Sequence, residues 1–406
     1  LRDLISALEN ILTNSRGRKL RPFEVSDIIL RIAQSVSAGG MRRSACICIS
    51  DLDDPDMEVY KSQENISKYP FRVNANISAC YESCPSEERF WREWKILQNS
   101  GTGERGIFNR ESCRSICQNS SRSLEDPNSL GTNPCSEIIL QSEQFCNLSE
   151  VIVRSSDTQY DISQKVAAAT ILGTWQSTLT KSPQINSRWK TNTEKERLLG
   201  VSLTGICDNP LTYQNSSQLP KLLSDLRTAA HITNYFESKN IGIRYSSAIT
   251  CIKPSGTVSQ LVNSASGIHP RYDKFYLRAV TLSANDPIAQ YLLNTGIYFE
   301  KHEIVPNSYL FYFPIGNPDS SQNCSLTRHD ISPIEHLELW KTYQQYWCDH
   351  KPSITINVRD SEWDEVGRWV YKNFQIVSGI SFFPFFNEYF RQAPFQTTTR
   401  ERFFEL

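Results

Sequence analysis

The chain has 406 residues, of which 39% are hydrophobic, and a formal net charge of -1. That length holds one large α/β domain or two smaller ones. The balanced charge gives no electrostatic reason to expect nucleic acid or an anionic membrane as a partner. No apolar run approaches a membrane span; the most apolar stretch, Ile380-Ser381-Phe382-Phe383-Pro384-Phe385-Phe386, is short, broken by proline, and reads as a buried strand.

Leu1, Leu4, Ile5, Leu8, Ile11 and Leu12 recur at helical spacing. The N-terminus lacks a starting Met and a signal-peptide apolar region, so the chain is expected to start inside a fold, as a fragment or processed piece. A second helix is predicted from Pro22, carrying Ile28, Ile32 and Val36 and stopping at Gly39-Gly40. Ala45 to Ile49 reads as a strand and Ser86 to Leu97 as a helix. Residues 101–150 show little periodicity and many turn residues, the signature of a functional or disordered segment. Beyond them, helices are predicted over 162–179, 220–235, 287–293, 334–346 and 363–374. Extended segments are predicted over 241–252, 309–314 and 353–358 and near Ile380. This alternation argues for an α/β architecture. The tail from Phe395 to Leu406 is polar and is expected to be poorly ordered. Twelve cysteines without a leader point to reduced thiols in a cytoplasmic setting.

The irregular segment holds the densest chemistry: Asn133-Pro134-Cys135-Ser136-Glu137, with Cys146 eleven residues after Cys135. In an extended loop, side chains at i and i+2 share a face, so Asn133, Cys135 and Glu137 are expected to meet one substrate together. A thiyl radical on Cys135 can take hydrogen from a hydroxyl-bearing carbon. Glu137 can take the hydroxyl proton, and Asn133 can hold hydroxyls. Cys146, given a second thiol, can supply two electrons and end as a disulfide. The plainer reading of the same spacing is a buried loop cysteine beside a solvated glutamate. A second motif, Pro254-Ser255-Gly256-Thr257-Val258-Ser259, follows a predicted strand. Its small residues and hydroxyls suit a phosphate, helped by a helix N-terminus if one begins there. Such clusters are more often plain turns, and the Walker spacing is absent.

Taken together, these motifs resemble ribonucleotide reductase catalytic chains of the adenosylcobalamin-dependent class II, the ribonucleoside-triphosphate type. Gly17-Arg18-Lys19-Leu20 with Ala38-Gly39-Gly40-Met41-Arg42-Arg43-Ser44-Ala45 is similar to a paired family signature. Gly103-Glu104-Arg105-Gly106-Ile107-Phe108-Asn109 resembles another segment, with Arg105 in place of proline. Thr132 to Glu137 and Cys146-Asn147-Leu148 resemble the family's finger loop. Lys253 to Ser259 with Ser266-Gly267-Ile268-His269 resemble its phosphate region, and Ser378 to Pro384 with Gln392-Ala393-Pro394 its closing strand.

The resemblance implies a ten-stranded α/β barrel of the ribonucleotide reductase and glycyl-radical type, here 1-394 and incomplete at its N-terminus, with a finger loop near 131-148 and a tail at 395-406. It implies that Cys135 forms the thiyl, Glu137 acts on the 3'-hydroxyl, Asn133 binds ribose and Cys146 reduces the 2'-carbon. Ser255, Gly256, Thr257 and Ser259 would surround the substrate phosphates. It further implies adenosylcobalamin as cofactor, a ribonucleoside triphosphate as substrate, a dNTP effector bound upstream, a thioredoxin-type reductant and DNA-precursor synthesis.

The family's partner for Cys146 and its C-terminal cysteine pair are not matched. The alternative is therefore an incomplete nucleotide-binding fragment, working only with an upstream segment in trans. Cys46 and Cys48 match a different family strand and read as structural. The pairs Cys80/Cys84 and Cys113/Cys117 fit zinc ligation only loosely, and structural thiols are the preferred reading.

Overall fold

The computed structural model describes residues 2–35, 45–120, 122–181, 184–214, 217–303, 305, 307–316, 326–385 and 392–405. The Gly39-Gly40 helix stop and the second half of the paired signature, through Ser44, lie outside them. Strands β1 (Cys46–Asp51), β2 (Ala75–Tyr81) and β3 (Gly106–Asn109) come first. The short pair β4 (Gly131–Thr132) and β5 (Ile139–Leu140) follows. Next are β6 (Asn147–Ile152), β7 (Leu199–Thr204) and β8 (Thr250–Cys251), then β9 (Phe275–Ser283), β10 (Phe299–Lys301) and β11 (Ser308–Gly316). The last are β12 (Thr355–Val358), β13 (Gly379–Pro384) and β14 (Phe395–Thr397).

A five-stranded sheet runs β1-β2-β3-β13-β12. It is parallel within β1-β2-β3 and within β12-β13, and antiparallel where β3 meets β13. A three-stranded parallel sheet runs β6-β7-β8, and a single parallel bridge, Ile252 to Pro352, joins it to the β12 side. Where one ten-stranded barrel was expected, the ladders among the described residues form separate sheets.

Burial explains the strand compositions. Every residue of β7 is buried, as befits a parallel strand covered on both faces. Its cover includes the helix Gln159–Gln176, and the helix Pro333–Tyr346 packs on β12; each is opened by a capping box, Thr158 with Asp161 and Ser332 with Glu335. Trp340 and Trp347 are fully buried, and each satisfies its indole N–H on a backbone carbonyl, of Pro352 and Cys251.

The structure corrects several expectations. The extended run predicted over 241–252 is a strand only at Thr250–Cys251. The helix before it continues to Asn240, and an irregular segment follows. The segment after Gly101 holds β3 and the helix Arg110–Asn119; polar residues on the helix's outer face hid its period. The tail is not loose at its start: β14 pairs antiparallel with β9, and Arg400–Glu405 is helical. With β10 and β11 these strands make a four-stranded sheet, β10-β11-β9-β14. No described helix is long and apolar enough to cross a membrane.

Candidate active site

The Asn133 segment is the tip of a hairpin. Strands β4 and β5 pair antiparallel, Gly131 with Leu140 and Thr132 with Ile139, and residues 133–138 close the turn. The tip is not extended, which corrects the shared-face expectation. Ser136 N–H donates to the Asn133 carbonyl (2.9 Å), and Ser136 takes a left-handed φ of 66°. The Asn133 side-chain oxygen accepts from Ile138 N–H at 2.9 Å, the local pairing that lets Asn close turns. The tip therefore divides its side chains. Cys135 is half-buried and lines a cavity, while Glu137 is 2% exposed.

Three other elements hold the tip. Asn76 of β2 donates to the Pro134 carbonyl at 2.8 Å. Lys351 donates from its backbone to the Glu137 carbonyl (3.0 Å) and from Nζ to Ser136 Oγ (2.8 Å). Arg122 donates to the Ile139 carbonyl at the hairpin base (2.9 Å) and pairs with the buried Glu196. Lys351 is fully buried, with its ammonium 4.8 Å from the Phe108 ring. A methyl at Gly379 would lie inside van der Waals contact with both Ser136 Oγ and Lys351 Nζ, at 3.0 and 3.1 Å. Nothing in the sequence marked Lys351 or Arg122; both act from far along the chain, a relation visible only after folding.

Burial pushes the Glu137 carboxyl above its ordinary range, against a hydrogen bond from Asn133 and the charges of Lys253 and Lys351. Its Oε2 has no hydrogen-bond partner among the described residues. Burial also raises the Cys146 thiol, and the Glu137 charge raises it further. Cys251, fully buried on β8, is raised by burial first and then by Glu137 and Cys146. Glu137, Cys146 and Cys251 thus lie within electrostatic reach of one another. Cys146 forms no disulfide.

The cavity beside Cys135 has a volume of about 440 Å³. It crosses the sheet from Ile47 and Asn76 on β1 and β2, beneath Pro134 to Ser136, to Thr355 on β12 and the neighbouring Pro254. Next to it lies a second cavity of about 370 Å³, which shares Pro254, Thr355 and Phe383 with the first.

The four phosphate-loop residues are not equivalent. Gly256 and Thr257 are exposed, and Gly256 lines the second cavity. Ser255 and Ser259 are buried. Ser255 Oγ donates to the Glu150 carboxylate, which also pairs with Lys253 at 2.8 Å. Ser259 Oγ bonds the Ser255 carbonyl and Ser266 Oγ. The helix that follows, Val258–Leu261, is a single turn, too short to add a useful dipole. His269, half-buried and lining the second cavity, accepts from Thr355 N–H through Nε2 at 2.9 Å, and its Nδ1 faces the Ser266 carbonyl. The other motif residues are structural in placement. Arg105 is buried against Glu93, and a Cβ on Gly103 would lie 1.9 Å from the Phe382 carbonyl oxygen. Cys80, Cys113 and Cys117 pack in one apolar cluster, and Cys84 is exposed.

No family model matches the chain. A crystal structure of a B12-dependent (class II) ribonucleotide reductase superposes with a TM-score of 0.76, at 23% identity over 99% of this chain and 58% of that one. The fold is that of a ribonucleotide reductase. The class Id ribonucleotide reductase alpha subunit of Actinobacillus ureae superposes less closely, with a TM-score of 0.56 and 13% identity over 88% of this chain and 74% of that one. In sequence, the chain is similar to the adenosylcobalamin-dependent ribonucleoside-triphosphate reductase of Lactobacillus leichmannii, 26% identical over 98% of this chain and 57% of the relative. The enzyme of the same name from Euglena gracilis is 26% identical over 99% of this chain and 54% of its own length. The chain therefore spans a little over half the length of these two triphosphate reductases.

Proposed function

We propose that this chain carries the thiyl-radical half of an adenosylcobalamin-dependent reductase that converts ribonucleoside triphosphates to 2'-deoxyribonucleoside triphosphates, with residues 1–394 forming part of its barrel. The observation that carries the reading is the hairpin tip, which presents Cys135 to a cavity while holding Glu137 buried and within electrostatic reach of Cys146. A ten-stranded barrel of two five-stranded halves accommodates the ladders: β6-β7-β8 continued through the Ile252–Pro352 bridge into β12-β13 makes one half, and β1-β2-β3 makes three strands of the other.

In this reading a Cys135 thiyl takes the 3'-hydrogen while Glu137 takes the 3'-hydroxyl proton. The 2'-hydroxyl leaves as water. Two electrons come from Cys146 and a partner thiol, which become a disulfide, and Cys135 returns its hydrogen to the 3'-carbon. Asn133 orients the ribose. Ser255, Gly256, Thr257 and Ser259 form the loop at the phosphates, with Gly256 and Thr257 as its accessible members. When bound, adenosylcobalamin supplies the unpaired electron that Cys135 receives. The Cys135 cavity has a small-ligand volume and polar walls, including Asn76, Ser78 and Ser381, so it fits a reactive nucleoside-like group. The Ile47 and Asn76 side would hold that group, leaving the Pro254 and Thr355 side to substrate.

The relatives' greater length supports a second reading, in which the partner thiol, the dNTP effector site and the contacts of a thioredoxin-type reductant come from a further segment in trans. The test measures deoxynucleotide formation with adenosylcobalamin and a dithiol, with and without a separate chain carrying the rest of a relative's sequence. Cys135→Ser is expected to abolish product and leave nucleotide binding within about twofold. If Cys135→Ser forms product at the wild-type rate, the radical assignment is wrong. Product without the second chain would rule out the trans reading.

A further inference from the structure

The second cavity is lined by two arginines that nothing above uses. Arg278 on β9 lies over the Phe395 ring (4.4 Å) and donates to the Pro394 carbonyl at 3.1 Å. Arg328 lies over the Tyr272 ring (3.8 Å) and points one weak bond, 3.4 Å, at the Phe385 carbonyl. Its Nε is buried and has no hydrogen-bond partner among the described residues. No described carboxylate pairs with either guanidinium, whereas Arg271, on the same wall, is fully engaged by Asp208 and Asn263. Two fixed cations, held over aromatic rings and without a counter-charge among the described residues, are poised for an anion.

The position of this cavity says which anion. It adjoins the Cys135 cavity at Pro254, Thr355 and Phe383, and Gly256 forms part of its wall. A nucleotide with its ribose under Cys135 would send its phosphate chain past Pro254 and Gly256 into this second space. The phosphate loop itself offers little charge there, because Lys253 is already paired with Glu150.

We propose that Arg278 and Arg328 form a subsite for the terminal phosphate of a nucleoside triphosphate and set the preference for tri- over diphosphate. This rests on the ribonucleotide reading above and assigns its substrate class to two named residues. Guanidinium–phosphate contacts are charge-assisted and bidentate, each worth about 1.5–3 kcal/mol, so losing one is expected to cost roughly tenfold or more in affinity.

The experiment is calorimetric titration of this chain with ATP and with ADP in one buffer, at two salt concentrations. Wild type is expected to bind ATP about a hundredfold tighter than ADP, the product of two tenfold contacts. Arg278→Gln and Arg328→Gln should each weaken ATP about tenfold and leave ADP within twofold, and the double variant should bind the two nucleotides alike. Arg328→Lys, which keeps the charge without the fork, should fall between. Circular dichroism verifies folding of each variant, and Arg328→Gln, which removes one weak hydrogen bond and the ring contacts with Tyr272 and Phe385, carries the test if Arg278→Gln fails to fold. Equal wild-type affinity for ATP and ADP, or Arg328→Gln weakening both alike, overturns the subsite and leaves the nucleotide reading standing. No binding of either nucleotide overturns both.

Discussion

At the residue scale, Glu137 shows how a site is stabilised against its own stability. Its carboxyl is buried with one oxygen unsatisfied, and its affinity for a proton is raised by burial. A carboxyl whose folded pKa exceeds its unfolded value contributes stability that is complete below about pH 4.3 and is lost as pH rises through the folded value. Glu137→Gln removes that loss. The variant is therefore expected to melt higher than wild type at neutral pH by about 1–2 °C per kcal/mol recovered, with the difference shrinking as pH falls toward 4, and to form no deoxynucleotide. Calorimetric melts of both proteins across pH 4–8 test this, and a variant that melts lower at pH 7 contradicts it. Residue type and spacing singled out Glu137, Cys135 and Cys146 in the sequence, and the fold places the first two on one hairpin tip with Cys146 just before β6. Their arrangement was not legible: an extended loop was expected, but the Ser136 left-handed turn and the Asn133–Ile138 hydrogen bond fold the tip, so cysteine and glutamate face different surroundings.

At the scale of elements, the hairpin depends on anchors remote in sequence. Arg122 and Glu196 are both fully buried, and Arg122 also holds the Ile139 carbonyl. Removing one partner of such a pair leaves an uncompensated charge, at about 3–5 kcal/mol. Arg122→Met is expected to cost that much in urea unfolding, and Arg122→Met with Glu196→Leu to recover most of it; a double variant no better than the single one would show that the cost lies elsewhere. A second junction joins the Ser266–His269 turn to β12 and the helix Pro333–Tyr346. His269 accepts from Thr355 N–H, and His336 donates to the Ile268 carbonyl. Burial holds His269 below its ordinary range and His336 at about 3. Since the folded values lie below the unfolded one, this stability is present above about pH 6.5 and falls as the unfolded chain takes up protons, by about 2 kcal/mol at pH 5 for His336 alone. His336→Gln keeps a donor for Ile268 and should flatten the urea midpoint between pH 6.5 and 5; an unchanged slope would exonerate the histidine. Helices such as Pro287–Leu293 and Pro333–Tyr346 were readable to within a residue, because their caps and prolines are local signals. The strand β7, with no polar face and a glycine within it, carried no period to read.

At the scale of the whole molecule, packing is unevenly shared. One continuous core unites β6, β7 and the residues flanking β8, Ile249 and Ile252, with the helices Leu219–Asn240 and Pro333–Tyr346, and extends through Trp94 and Trp363 to β13. Gly103 and Gly367 show how tight it is: a methyl on Gly367 would lie 2.7 Å from the Trp94 indole nitrogen. Among the described residues, the antiparallel sheet β10-β11-β9-β14 has a small cluster of its own, Leu277, Ala279, Leu310 and Tyr312. It is joined to the rest by long-range contacts such as the Arg271–Thr327 bridge and the Arg271–Asp208 pair. Local opening free energy follows buried apolar contact, so this sheet is expected to open before the main core. Native-state hydrogen exchange should show the amides of β9 and β11 exchanging through a sub-global opening at low urea, while those of β7 persist to global unfolding. The same sheet carries Arg278, so ATP should slow exchange in β9 more than ADP does, because a ligand stabilises whatever opening would release it. Uniform protection of β7 and β9 would mean that the two cores melt as one and that the small cluster is backed by contacts stronger than its apolar area implies.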